Sequence, residues 1–68
     1  MKKAKQQYDR DSAAFTTTRK RNGLSLRNVS KITGVNFNTI FRFERRKDIS
    51  AIHYLALCEW TAEENPVF

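Results

Sequence analysis

A single cysteine, a single histidine, a single proline and two glycines in 68 residues exclude several kinds of protein at once. Cys58 has no second thiol to bridge, so the fold cannot rest on an intramolecular disulfide. Cys58 and His53 together fall short of the four soft ligands of a structural zinc site. A reduced, cytoplasmic protein without metal or cofactor is expected. The one proline, Pro66, stands near the end of the chain, which leaves the stretch before it free to be helical. No run of about 18 apolar residues occurs, so no helical membrane span is expected. The opening Met1-Lys2-Lys3-Ala4-Lys5-Gln6-Gln7 is basic, but polar residues follow where an export signal needs an apolar segment.

Basic residues are missing from the last third. All 13 Lys and Arg lie in residues 1–47 with three acids, Asp9, Asp11 and Glu44, whereas residues 48–68 hold four acids and no base. The two segments are therefore net +10 and −4. An anionic partner is expected for the first segment and not for the second. A content of 40% hydrophobic and 12% aromatic residues is too apolar for a disordered polycation. One small folded domain is expected, and at this size core burial barely exceeds the entropy lost on folding.

The pattern along the chain is helical. Residues 1–10 hold four bases and no apolar periodicity, the composition of a basic arm or a frayed helical extension. Asp11 or Ser12 is the expected N-cap of a first helix, which runs through Phe15 and Arg19 to Asn22 and is stopped by Gly23. Thr16-Thr17-Thr18 pulls mildly toward strand. Ser25 caps a second helix with Leu26, Val29 and Ile32 as its inward stripe, ended by Gly34. Asn36 caps a third, which runs to Arg46 and turns Ile40 and Phe43 inward. A fourth starts from Asp48 or Ser50, puts Ile52, Leu55 and Ala56 on one buried face and closes on Trp60. Residues 61–68 read as a short acidic tail. The expected fold is all-α: a four-helix domain over residues 11–60, a basic arm over 1–10 and the tail. Its second and third helices, joined by a glycine turn, make a central helix-turn-helix.

Gly23-Leu24-Ser25, Val29-Ser30, Thr33-Gly34-Val35-Asn36, Thr39-Ile40 and Arg42-Phe43-Glu44-Arg45 resemble the Cro/phage-repressor (Xre-type) helix-turn-helix family. The resemblance runs without a gap from about Phe15 to Leu57. It implies a lambda-repressor-like fold and a transcriptional regulator that binds operator DNA, by analogy as a dimer. The major groove admits a helix and presents a distinct hydrogen-bonding pattern for each base pair, so residues on the outer face of the inserted helix can read sequence. With Ile40 and Phe43 inward, the outer face of helix 36–46 carries Phe37, Asn38, Phe41, Arg42 and Arg45. The resemblance places base readers at Phe37, Asn38, Phe41 and Arg42. Asn38 suits adenine and Arg42 guanine, each contact discriminating by about 1–3 kcal/mol. Phe37 and Phe41 depart from the usual polar readers; they fit thymine methyl groups, or Phe41 folds back as core.

Phosphate contacts are expected from helix starts and basic flanks: Ser25, Asn36 and Thr39, Arg27 in place of a glutamine that the family often has where this chain has Leu26, and Arg45, Arg46 and Lys47. Lys20, Arg21 and Lys31 are read as solvated charge. In the family an arginine and a glutamate at the positions of Arg19 and Glu44 form a buried ion pair, which makes both structural. Two departures concern geometry. Arg46 replaces a glycine that supplies a positive-φ helix end, so the third helix is expected to end later or differently. Ser50-Ala51 replaces a proline and serine before the fourth helix.

Residues 49–68, with Ile52, Tyr54, Trp60 and Phe68, are the expected dimer surface. A β-hairpin in place of the late helix is a structural alternative, disfavoured by Tyr54-Leu55-Ala56-Leu57. The functional alternative is a protein-interaction module of antitoxin or anti-repressor type that grips its partner with Phe37 and Phe41. No nucleophile–base pair, metal cluster or phosphate-cradling glycine loop points to an enzyme, and no small-molecule ligand is expected.

Overall fold

The computed structural model describes the backbone of residues 2–64 and the side chains of residues 5–64. It contains four helices: α1 (Lys2–Arg21), α2 (Leu26–Thr33), α3 (Phe37–Glu44) and α4 (Ala51–Glu64). No strand occurs among the described residues, so residues 51–64 are helix and not hairpin. None of the helices is long and apolar enough to cross a membrane. Helix α1 packs on α3 and α4, and α2 packs on both α3 and α4. All four close on one core of Phe15, Val29, Val35, Ile40, Phe43, Leu57 and Trp60.

The core is aromatic at its centre. Phe15 lies 5.4 Å from both Phe43 and Trp60 between ring centroids, and Tyr8 lies 5.4 Å from both Phe43 and Tyr54. Tilted and edge-on pairs of this kind each add about 0.5–1.5 kcal/mol beyond burial. Tyr8 also donates its hydroxyl hydrogen bond to the Lys47 carbonyl, tying α1 to the segment between α3 and α4.

Three expectations are corrected here. The first helix does not start at Asp11 or Ser12: α1 already runs from Lys2, so neither residue is a cap. Ser12 is buried and donates to the Phe43 carbonyl at 2.7 Å, and Asp11 accepts from the Tyr54 hydroxyl. On α2 only Val29 of the expected stripe is fully buried, and Ile32 is 57% exposed; the inward phase runs through Thr33 instead, whose hydroxyl binds the Val29 carbonyl at 2.8 Å. On α4, Ile52 and Leu55 are 77% and 59% exposed, and the buried residues are Leu57 and Trp60. Helix α4 also extends past Trp60 to Glu64. The remainder of the tail, residues 65–68, lies outside the described residues.

The turns are built as their residues dictate. Ser25 and Asn28 form a reciprocal capping box at the start of α2. Gly34 ends α2 at φ 78° and gives its N–H to the Ser30 carbonyl at 2.8 Å. A Cβ there meets nothing within 4 Å, so glycine is favoured by conformation alone. Val35, buried, donates its backbone N–H to the Thr33 hydroxyl oxygen at 3.2 Å. Asn36 then caps α3, its side chain accepting from the Asn38 N–H at 2.8 Å. Ser50 begins α4, its carbonyl accepting from the Tyr54 N–H at 3.0 Å.

Candidate nucleic-acid interface

Helix α3 presents two unlike faces. Ile40 and Phe43 are wholly buried, while Asn38, Phe41, Arg42 and Arg45 are exposed and Phe37 is half-buried. The burial of the first pair fixes the helix rotation, and helical geometry then sends the others outward.

The outer face is organised by guanidinium groups. Arg27, from the first turn of α2, lies 4.7 Å from the Phe37 ring centroid. Arg45 lies 5.4 Å from that of Phe41. Each is a cation–π contact worth about 0.5–1 kcal/mol at an exposed site. The contacts leave the guanidinium edges available as donors while restraining the side chains. Arg42 is anchored differently: its Nη2 donates to the Asp48 carbonyl at 2.9 Å, which holds the side chain over the end of α3. The sequence offers Asp48 only as a candidate start of the fourth helix and gives Tyr8 no role, because Asp48 acts here through its backbone carbonyl and Tyr8 from another helix.

Arg19 and Glu44 join α1 to the end of α3. Arg19 Nε donates to Glu44 Oε2 at 2.6 Å and Nη2 to Oε1 at 3.1 Å, in a fork-on-fork arrangement. The third direction of the guanidinium is used as well, Nη1 donating to the Leu24 carbonyl at 2.8 Å. Both side chains are 14% exposed. Arg19 is thus committed inside the fold and contributes nothing to an outward basic surface.

The expected phosphate-binding residues have unequal freedom. The Ser25 hydroxyl accepts from the Asn28 N–H at 3.1 Å and donates to Asn28 Oδ1 at 2.8 Å, so its proton is used within the capping box. What remains at this helix start is the N–H groups of Leu26 and Arg27 and the Arg27 guanidinium. The Ser25-Leu26-Arg27-Asn28 spacing signals that box in the sequence, with asparagine standing where glutamate or glutamine is usual. The Asn36 side-chain oxygen is likewise occupied as a cap, and Thr39 is half-buried. Arg45, Arg46 and Lys47 are exposed in a row after α3. The helix ends at Glu44, and Arg46 itself takes the left-handed conformation at φ 60°. The expectation of a helix that runs to Arg46 and ends later or differently for want of glycine is therefore corrected: the end falls at Glu44, and Arg46 keeps the positive φ. Arg46 N–H binds the Phe43 carbonyl at 3.0 Å and Lys47 N–H the Arg42 carbonyl at 2.9 Å, bonds that offset part of the cost of a left-handed residue with a Cβ, about 1–2 kcal/mol.

Away from this face, Tyr54, Asp11 and Cys58 form a polar cluster between α1 and α4. The Tyr54 hydroxyl donates to Asp11, which raises the Tyr54 pKa, with burial adding to the effect. Burial pushes the Cys58 thiol up to about 11, so it is not a reactive thiolate at neutral pH. Among the described residues no group of three or more His, Cys, Asp and Glu side chains is placed to hold a metal ion. The chain matches no family model, no curated protein and no solved structure.

Proposed function

We propose that the protein is a sequence-specific DNA-binding regulator of helix-turn-helix type, with α2 and α3 as the unit and α3 as the helix that enters the major groove. The observation that carries this reading is the two-faced α3: Ile40 and Phe43 fully buried, with Asn38, Phe41, Arg42 and Arg45 exposed on the other side and Arg27, Arg46 and Lys47 flanking them. A three-residue turn around Gly34, the caps at Ser25 and Asn36, and the Arg19–Glu44 brace support it. In this role Asn38 and Arg42 read base edges, and the anchoring of Arg42 on the Asp48 carbonyl limits the rotamer entropy lost on binding. Arg27, Arg45, Arg46, Lys47 and the first N–H groups of α2 and α3 hold phosphates.

Dimerisation on a two-half-site operator belongs to the same proposal. Trp60 is part of the core and Tyr54 is half-buried against it, so the exposed Ile52 and Leu55 of α4 offer a second copy the larger surface. Phe68 lies outside the described residues. The protein-interaction alternative draws on the exposed Phe41 ring, but the cations around it favour a polyanion.

The test uses a DNA site selected by the protein itself. Asn38→Ala and Arg42→Ala are each expected to lower the preference for that site over scrambled DNA at least about fivefold, at about 1–3 kcal/mol per lost base contact. Non-specific binding should persist, with log K falling against log salt at a slope near −0.9 per phosphate contact. Full retention of preference by both variants defeats the assignment of α3.

A further inference from the structure

The two aromatic rings on the outer face of α3 have different surroundings. Phe37 is half-buried and stacked under Arg27. Phe41, one turn further along, is 47% exposed, and neither ring is among the hydrophobic residues packed against the core. The Arg45 guanidinium lies 5.4 Å from the ring centroid, and close to half of the residue's surface still meets solvent. Each ring carries a guanidinium, and Phe41, the more exposed of the two, offers a ligand the larger surface. This reverses the order in which the sequence ranks them, since there Phe41 is the candidate for folding back into the core.

A phenyl ring makes no conventional hydrogen bond. Pressed onto the donors and acceptors along the major groove floor, it removes their water and returns nothing, a net loss. One group there is apolar, the C5-methyl of thymine. A solvent-exposed phenylalanine between Asn38 and Arg42 on a groove-reading helix is therefore matched by a methylated pyrimidine and by no other base edge.

We propose that Phe41 is a specificity-determining residue that reads the 5-methyl group of a pyrimidine in the major groove, accepting thymine or 5-methylcytosine and disfavouring uracil or unmodified cytosine. The inference rests on the DNA-binding role of α3 and goes beyond it to the chemistry of one base. 5-Methylcytosine carries its methyl at the same ring position as thymine and differs at the neighbouring exocyclic group. A contact made through the methyl alone accepts both. Cytosine methylation then strengthens binding at such a site instead of blocking it.

The experiment replaces each thymine of a selected duplex in turn by deoxyuridine, which removes one methyl and nothing else, and measures affinity by fluorescence anisotropy. At the position facing Phe41 the affinity is expected to fall about fourfold, the value of one buried methyl. Replacing that thymine by cytosine, with its partner changed to guanine, should weaken binding, and 5-methylcytosine there should recover about fourfold over cytosine. Phe41→Ala should bind the thymine and uracil duplexes equally, while Phe41→Leu keeps part of the difference. Both variants should melt close to the parent protein because the side chain lies outside the core. If no uracil substitution changes the affinity of a protein that still prefers its selected site, the methyl-reading role is wrong and the DNA-binding reading stands. A methyl effect that survives in Phe41→Ala overturns the assignment to Phe41. If the parent protein shows no sequence preference at all, both readings fall.

Discussion

At the scale of single residues, Arg19 and Glu44 brace α1 against the end of α3 through an ion pair whose side chains are mostly buried. The guanidinium satisfies three acceptor directions at once, two on Glu44 and one on the Leu24 carbonyl, and both side chains are 14% exposed. Removing the charge of one partner leaves the other desolvated without compensation, which costs about 3–5 kcal/mol for a buried pair. Glu44→Gln keeps one acceptor oxygen, so the low end applies. With each kcal/mol shifting a domain of this size by about 4–8 °C, thermal denaturation of Glu44→Gln is expected to show a melting temperature more than about 10 °C lower. An unchanged melting temperature contradicts a stabilising role for the pair. Residue by residue, the pair was legible in the sequence only through the family resemblance, because 25 positions separate its members. Arg46 shows the opposite case. Its substitution for glycine suggested a shifted helix end, yet the backbone keeps the left-handed turn at φ 60°, since Phe43 and Arg42 carbonyls and the Tyr8 hydroxyl hold the segment around it.

At the scale of elements, the helix starts with short polar caps and the inward pair of α3, Ile40 and Phe43, were readable, and the phases of α2 and α4 were not. Ser25 and Asn36 sit immediately before α2 and α3 because their side-chain oxygens satisfy free N–H groups. The same logic misplaced the start of α1. The inward face of α1 runs through Tyr8, Asp11, Ser12, Phe15 and Thr18, a stripe at helical spacing in which three of five residues are polar, so it resembles a cap followed by a helix. Ser12 and Asp11 are polar there because α3 and α4 bring them the Phe43 carbonyl and the Tyr54 hydroxyl. In α4 the run Ala51-Ile52-His53-Tyr54-Leu55-Ala56-Leu57 is apolar almost throughout, and periodicity cannot choose between Ile52 and Tyr54 as the inward residue. The junction of α1 with α4 makes a pH-dependent contribution. The Tyr54 pKa is raised above its ordinary value of 10.0 by donation to Asp11 and by burial. The protonated phenol is therefore the form the fold favours, and its contribution is complete below pH 10 and lost as pH rises beyond it. Cys58, pushed up to about 11 by burial, loses its contribution in the same alkaline range. Denaturant titrations from pH 8 to pH 11 are expected to show stability falling above about pH 9, with a shallower fall in Tyr54→Phe. An identical alkaline slope in that variant removes the Tyr54–Asp11 bond as its source.

At the scale of the whole molecule, charge and architecture divide the chain in the same place. Residues 1–47, net +10, comprise α1, α2, α3 and the exposed Arg45-Arg46-Lys47 row; residues 48–68, net −4, comprise α4 and the chain beyond it. The Arg19–Glu44 pair cancels within the first segment, so the outward charge of that segment is undiminished by it. In the proposed role, cations and α3 meet DNA while α4 stays clear of it, leaving Ile52 and Leu55 available to a second copy. The most direct test of this role is selection of the 68-residue chain against a random-sequence duplex DNA pool at near-physiological salt, read out by sequencing the bound fraction. A DNA-reading α3 is expected to enrich a defined half-site, repeated about one helical turn away as an inverted copy if the protein binds as a dimer. A bound fraction whose sequences remain as random as the input contradicts it.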